Sequence, residues 1–158
     1  MTIQPPVRVR RTYQQHLDAP PDRVFPLLCP VREADWVPGW DPSLVVTNSG
    51  IAEKDAVFIM PEEETDDAIW VITEHDPADY IVAFVKVTPG HTVGRIQIEL
   101  DSDGPARTVA AVAYQYTALS AAGEAFVQDF TEAAYAAFMQ AWEQQLNHYL
   151  RTGRMRAP

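Results

Sequence analysis

Residues 120–153, SAAGEAFVQDFTEAAYAAFMQAWEQQLNHYLRTG, contain no proline, are rich in alanine and glutamine, and end on a glycine two residues past Arg151. They read as one long C-terminal helix. Roughly 30 residues at about 1.5 Å each make about 45 Å, enough to cross a whole domain. On a helical wheel Phe126, Phe130, Ala133, Ala134, Ala137, Phe138 and Ala141 fill one sector. A second stripe of Tyr135, Met139, Trp142, Leu146 and Tyr149 widens it well past the usual stripe of about 100°. A helix this apolar has to be gripped by something concave or shared with a second chain, so the second stripe predicts a homodimer through this helix.

The rest of the chain supplies the concave partner. From Val7 to Leu17 the sequence alternates, with Val7, Val9, Tyr13 and Leu17 on one side and Arg8, Arg10, Thr12, Gln14 and His16 on the other, as in a half-buried strand. Residues 18–42 carry six prolines, which leave room only for two short helical pieces, the first capped by Asp18. After Pro42 period-two patterning continues for about 75 residues. Strands are predicted at Leu44–Thr47, Ala56–Met60, Ala68–Glu74, Tyr80–Thr88, Val93–Asp101 and Arg107–Ala118. Short turn-rich connections make the neighbours antiparallel, and in VGRIQIEL the split of Ile96, Ile98 and Leu100 from Arg95, Gln97 and Glu99 gives the sheet one wet face. At 158 residues the chain fits a single domain spanning 1–158.

Strand, two short helices, a run of antiparallel strands and a long amphipathic helix define an α+β domain in which a twisted sheet of six to seven strands wraps the C-terminal helix. Over residues 7 to 152 the chain resembles the START-like helix-grip superfamily, also called SRPBCC, which includes polyketide cyclase/dehydrase-like and lipid-transfer proteins. The resemblance is carried by LDAPPDRVFPLLCPVREADWVPGW at 17–40, IWVITEHDP at 69–77, VTPGHTVGRI at 87–96 and YQYTALSAAGEAF at 114–126. It implies a deep cavity between sheet and C-terminal helix that takes an apolar small molecule, and it brings no universal catalytic residue.

Nine aromatic residues should face such a cavity and form its ligand-binding wall: Trp36, Trp40, Phe58, Trp70, Phe84, Tyr114, Tyr116, Phe126 and Phe130. The competing expectation is that they fill a core. Trp36 and Trp40 flank VPG, which puts them on a loop or helix end at the cavity mouth. Glu33, Asp35 and Glu124 are the carboxylates that a dry cavity would turn into general acids or bases, unless Glu33 pairs with Arg32 or Arg23. His16, His75, His91 and His148 lack any short ligand spacing, and Cys29 is alone, so neither metal nor other cofactor is expected. The run EEETDD at 62–67 reads as a solvated loop, or as a charged lid that disfavours anionic ligands.

Twelve basic against 22 acidic residues give a net charge of -10, which repels phosphate backbones and anionic lipid surfaces. Arg8, Arg10 and Arg11 are too few to reverse that and are expected to pair with acids on the next strand. No nucleic acid partner and no membrane insertion are expected, and the composition suits the cytoplasm. Three functions fit: binding of a small apolar molecule of lipid, polyketide or aromatic type; an enzyme of cyclase, dehydratase or hydrolase type using a cavity carboxylate, Tyr or His; or an interaction domain whose cavity is filled and whose surface bears a large apolar patch.

Overall fold

The computed structural model describes residues 1–157. Seven strands, β1 (Arg8–Leu17), β2 (Leu44–Val46), β3 (Val57–Met60), β4 (Ala68–Asp76), β5 (Ile81–Thr88), β6 (Thr92–Ser102) and β7 (Thr108–Ala118), form one sheet in the order β1-β7-β6-β5-β4-β3-β2. Every adjacent pair is antiparallel, as the short connections require. The proline-rich segment yields α1 (Pro21–Val24), which runs into a 3-10 turn at Phe25–Leu27, and a second 3-10 turn at Glu33–Asp35. Asp18 does not cap α1, whose N-cap is Pro20. It holds Arg151 at 2.7 Å and Arg107 at 3.5 Å instead, tying the end of β1 to the far end of the chain.

The single helix expected from Ser120 onwards is two: α2 (Ala121–Asp129) and α3 (Glu132–Thr152). Phe130 leaves the helical region at φ -79, ψ 60, and the Thr131 hydroxyl accepts from the Ala134 N–H to start α3. The carbonyl freed at Phe130 accepts from Arg11 Nε at 3.1 Å, so a side chain from β1 stabilises the break. Arg11 also lies 3.7 Å from Glu132, while Arg8 bonds Thr117; the arginines thus find partners other than carboxylates on the adjacent strand.

The faces of α3 are also the reverse of the expected ones. Tyr135, Met139 and Leu146 are buried against the sheet, with the Tyr135 hydroxyl donating to the Val112 carbonyl at 2.7 Å. Ala133, Ala134, Ala137 and Ala141 face outward, and Phe138 is half-exposed with its ring edge-on to Tyr114 at 5.8 Å. Three of the five residues of the stripe that suggested a second chain are therefore buried within this chain, and Trp142 and Tyr149 are partly buried. The polar side of α3 covers the free edge of β1. Gln15 Nε2 donates to the Met139 carbonyl at 3.0 Å, His16 N–H to Glu143, and Asn147 bonds both the His16 carbonyl and the Asp18 N–H. The C-terminal end of this edge strand is thereby covered. No helix among the described residues is long and apolar enough to cross a membrane.

Candidate functional site

Strand pairing sets the wall of the cavity. Register pairs Phe58 with Trp70, and Phe84 with Ile96, which in turn pairs with Tyr114. All five project from the face that meets α3. Phe58 and Trp70 stack at 5.4 Å with planes 15° apart, and Phe84 meets both edge-on at 6.5 and 6.0 Å. Such offset and perpendicular contacts are the favoured aromatic geometries. Trp40 approaches Phe58 at 6.0 Å from the loop after the second 3-10 turn, its indole N–H donating to the Pro30 carbonyl at 2.7 Å. Phe138 and Trp142 close the space from α3.

Together these side chains, with Val37, Ile98 and Glu33, enclose a cavity of about 100 Å³. Of the nine aromatics singled out in the sequence, Trp40, Phe58, Trp70, Phe84 and Tyr114 line it. Trp36 does not: it is wholly buried, donates its indole N–H to the Leu27 carbonyl at 3.1 Å and packs on Trp142. Its indole N–H on the Leu27 carbonyl and its complete burial put it in the core and not at the mouth. Tyr116, Phe126 and Phe130 form a separate cluster under α2, where the edges of Tyr116 meet Phe126 at 4.9 Å and Phe130 at 5.1 Å. Gly94, opposite Tyr116 on β6, makes room for that ring; a Cβ there would lie 2.8 Å from it. Tyr116 and Phe126 border a wider, more open cleft of about 420 Å³ with His91 and the acidic loop. That loop is not wholly free, because Glu62 reaches back to Lys86 at 2.8 Å, and Lys86 in turn sits 5.4 Å above the Trp70 ring.

The cavity is walled by rings but not devoid of polar groups. Glu33 is the one carboxylate that lines it. The Arg32 guanidinium turns away to Asp35 at 2.7 Å, and among the described residues no cation or hydrogen-bond donor meets the Glu33 carboxylate. The side chain is half-buried at the cavity's edge. Desolvation therefore pushes its pKa up to about 8. Burial, reinforced by Tyr116, Glu33 and Tyr135, holds the Tyr114 hydroxyl well above the ordinary phenol range. Trp70 keeps a buried indole N–H without a partner. Asp35 and Glu124 lie outside the cavity, and Cys29 is buried, its sulfur accepting from the Ala52 N–H at 3.1 Å. Val37, Ile98, Phe138 and Trp142 complete the lining without any sequence signal beyond their hydrophobicity.

A raised carboxyl pKa has a direct consequence for stability. The folded protein binds the Glu33 proton more tightly than the unfolded chain does, so this residue disfavours folding increasingly as pH rises from about 4.5 to about 8. The stability of Glu33→Gln relative to the native protein should climb across that window and level off on either side. Urea unfolding of both proteins across the range measures it; titration of His75, whose pKa burial lowers, cancels in the difference. A difference that stays constant with pH would show that the carboxyl titrates normally.

Seven antiparallel strands that hold a C-terminal helix, with short helical turns after β1, are the START-like helix-grip (SRPBCC) fold. Norcoclaurine synthase from Thalictrum flavum superposes with a TM-score of 0.66 at 12% identity, over 93% of this chain and 88% of that one. The Zhui aromatase/cyclase from Streptomyces sp. R1128 gives 0.63 at 13% identity, over 92% and 98% of the two chains. Ara h 8.0201 gives 0.63 at 12% identity, over 92% and 99%. No family model and no curated protein matches the sequence. At these identities the likeness is one of fold.

Proposed function

We propose that this protein binds a small apolar molecule, of single-ring aromatic size, in the cavity between the sheet and α3. The supporting observation is the cavity itself: aromatic side chains from the Trp40 loop, four strands and α3 surround a space with one carboxyl and little other polarity. Its volume of about 100 Å³ narrows the ligand class. A dry apolar cavity of roughly 150 Å³ accepts benzene, whereas drug-sized ligands need about 300 Å³ or more. A fatty acid or polyketide would enter only if Trp40, Phe138 or Trp142 moved. Phe138, 48% exposed at the rim, is the side chain best placed to do so. Among the structural neighbours, one norcoclaurine synthase holds dopamine and hydroxybenzaldehyde, molecules of this size.

Native mass spectrometry of protein purified without detergent, before and after incubation with single-ring aromatics, tests the proposal. One-to-one complexes are expected, and Ile96→Phe, which fills the cavity from the sheet side, should remain folded and lose them. Bare protein under every condition would overturn it. A second reading, acid–base chemistry on the bound molecule, rests on Glu33, whose pKa of about 8 suits proton transfer near neutrality. Exchange of the α-protons of acetophenone with deuterated water, faster with native protein than with Glu33→Gln, would support it; equal rates would remove it.

A further inference from the structure

We infer that the preferred occupant of the cavity is an organic monocation, a small alkyl- or arylammonium ion, held between the Glu33 carboxylate and the faces of the surrounding rings. The inference rests on the binding reading above and deepens it. Glu33 shares its cavity with Trp40, Phe58, Trp70, Tyr114 and Trp142. Aromatic faces attract cations, tryptophan most strongly, and the attraction grows when water is excluded. A carboxylate without a counter-ion in such surroundings is the costly member of the set, and an ammonium group is the ligand that offsets the cost.

Charges around the site leave that role open. On its own turn Glu33 is flanked by Arg32 and Asp35, which neutralise each other at 2.7 Å. Lys86, the cation packed on the Trp70 ring from β5, is neutralised by Glu62 at 2.8 Å. From β7 the facing titratable group is the Tyr114 phenol, which stays protonated. Beyond the cavity, the net charge of -10 and the acidic run at 62–67 draw cations in and repel anions. An anionic ligand such as benzoate meets the wrong field outside and a second acid inside.

Proton bookkeeping gives the test a signature that a merely apolar site lacks. Near neutrality the free protein holds Glu33 mostly protonated. An arriving ammonium brings its own proton, so Glu33 must release one to the buffer as the ion pair forms. Isothermal titration calorimetry at pH 7 with benzylamine, benzyl alcohol and toluene measures both affinity and this release, since the heat then depends on the buffer's ionisation enthalpy. Benzylamine should bind about tenfold or more tightly than benzyl alcohol, release close to one proton, and bind more tightly as pH rises towards about 8. Glu33→Gln should lose the preference and the proton release while still taking toluene. If that variant does not fold, proton release by the native protein decides. Equal binding of benzylamine and benzyl alcohol, or binding of the amine without proton release, overturns the cation and leaves the apolar-ligand reading standing. No binding of any of the three overturns both.

Discussion

Trp36→Ala is expected to cost about 3–5 kcal/mol of folding stability, among the largest effects of any single side-chain truncation in this chain. The indole is wholly buried, with its ring 5.7 Å from Trp142 and its N–H on the Leu27 carbonyl. Truncation would remove that apolar area, leave a void the rigid sheet cannot collapse to fill, and strand the Leu27 carbonyl. Trp36→Phe separates the contributions, because it keeps most of the ring and loses the hydrogen bond, at about 1–3 kcal/mol. Denaturant unfolding with unchanged slope measures both. A loss below about 1 kcal/mol for Trp36→Ala would place the residue at an exposed cavity mouth, where surface substitutions cost little. Trp40→Ala is the contrast: it should alter ligand uptake more than stability, since its ring is only partly covered and lines the cavity.

These two tryptophans show where the sequence was informative and where it was not. Period-two patterning located all seven strands because a half-buried antiparallel strand alternates by geometry, as Ile96, Ile98 and Leu100 do on β6. Pairing of such strands then brought Phe58, Trp70, Phe84 and Tyr114 to one face, as their positions implied. Trp36 and Trp40 lie outside that regularity, in a segment of 3-10 turns whose side-chain directions no period fixes. On α3 the difficulty was of another kind. Alanine and the large apolar residues weigh alike on a wheel, yet alanine is favoured there by helix propensity while Tyr135, Met139 and Leu146 are there to be buried. The break after Phe130 depends on Arg11, 119 residues upstream, and no local signal carries that contact. Glu33 was visible as a candidate, but its unpaired state follows from Arg32 choosing Asp35. The cavity's small volume is likewise a sum over side chains from distant segments, and only their assembly reveals it.

Gly123→Ala should destabilise the fold by about 2–4 kcal/mol, although glycine to alanine within a helix ordinarily gains up to about 1 kcal/mol. The sign reverses because Gly123 lies where α2 presses on the turn between β5 and β6. A Cβ at this position would overlap the His91 carbonyl oxygen and stand 3.4 Å from the Ala118 Cα. Neither side can yield cheaply. The His91 carbonyl is fixed by the Leu119 N–H at 2.8 Å, and Gly123 itself donates its N–H to the Ser120 hydroxyl at 3.2 Å in the cap that starts α2. Relief requires α2 to lift, and α2 carries Phe126, whose ring packs on Tyr116 and on His91. The variant should therefore lose stability and open the cleft beneath α2, while the Glu33 cavity, walled by α3 and the other end of the sheet, keeps its ligand preference in the fraction that remains folded. Urea unfolding against Gly104→Ala, where no atom lies within 4 Å and only the positive φ of 83° opposes a side chain, isolates the steric contribution. Gly123→Ala within about 0.5 kcal/mol of the native protein would mean that α2 does not dock on this turn.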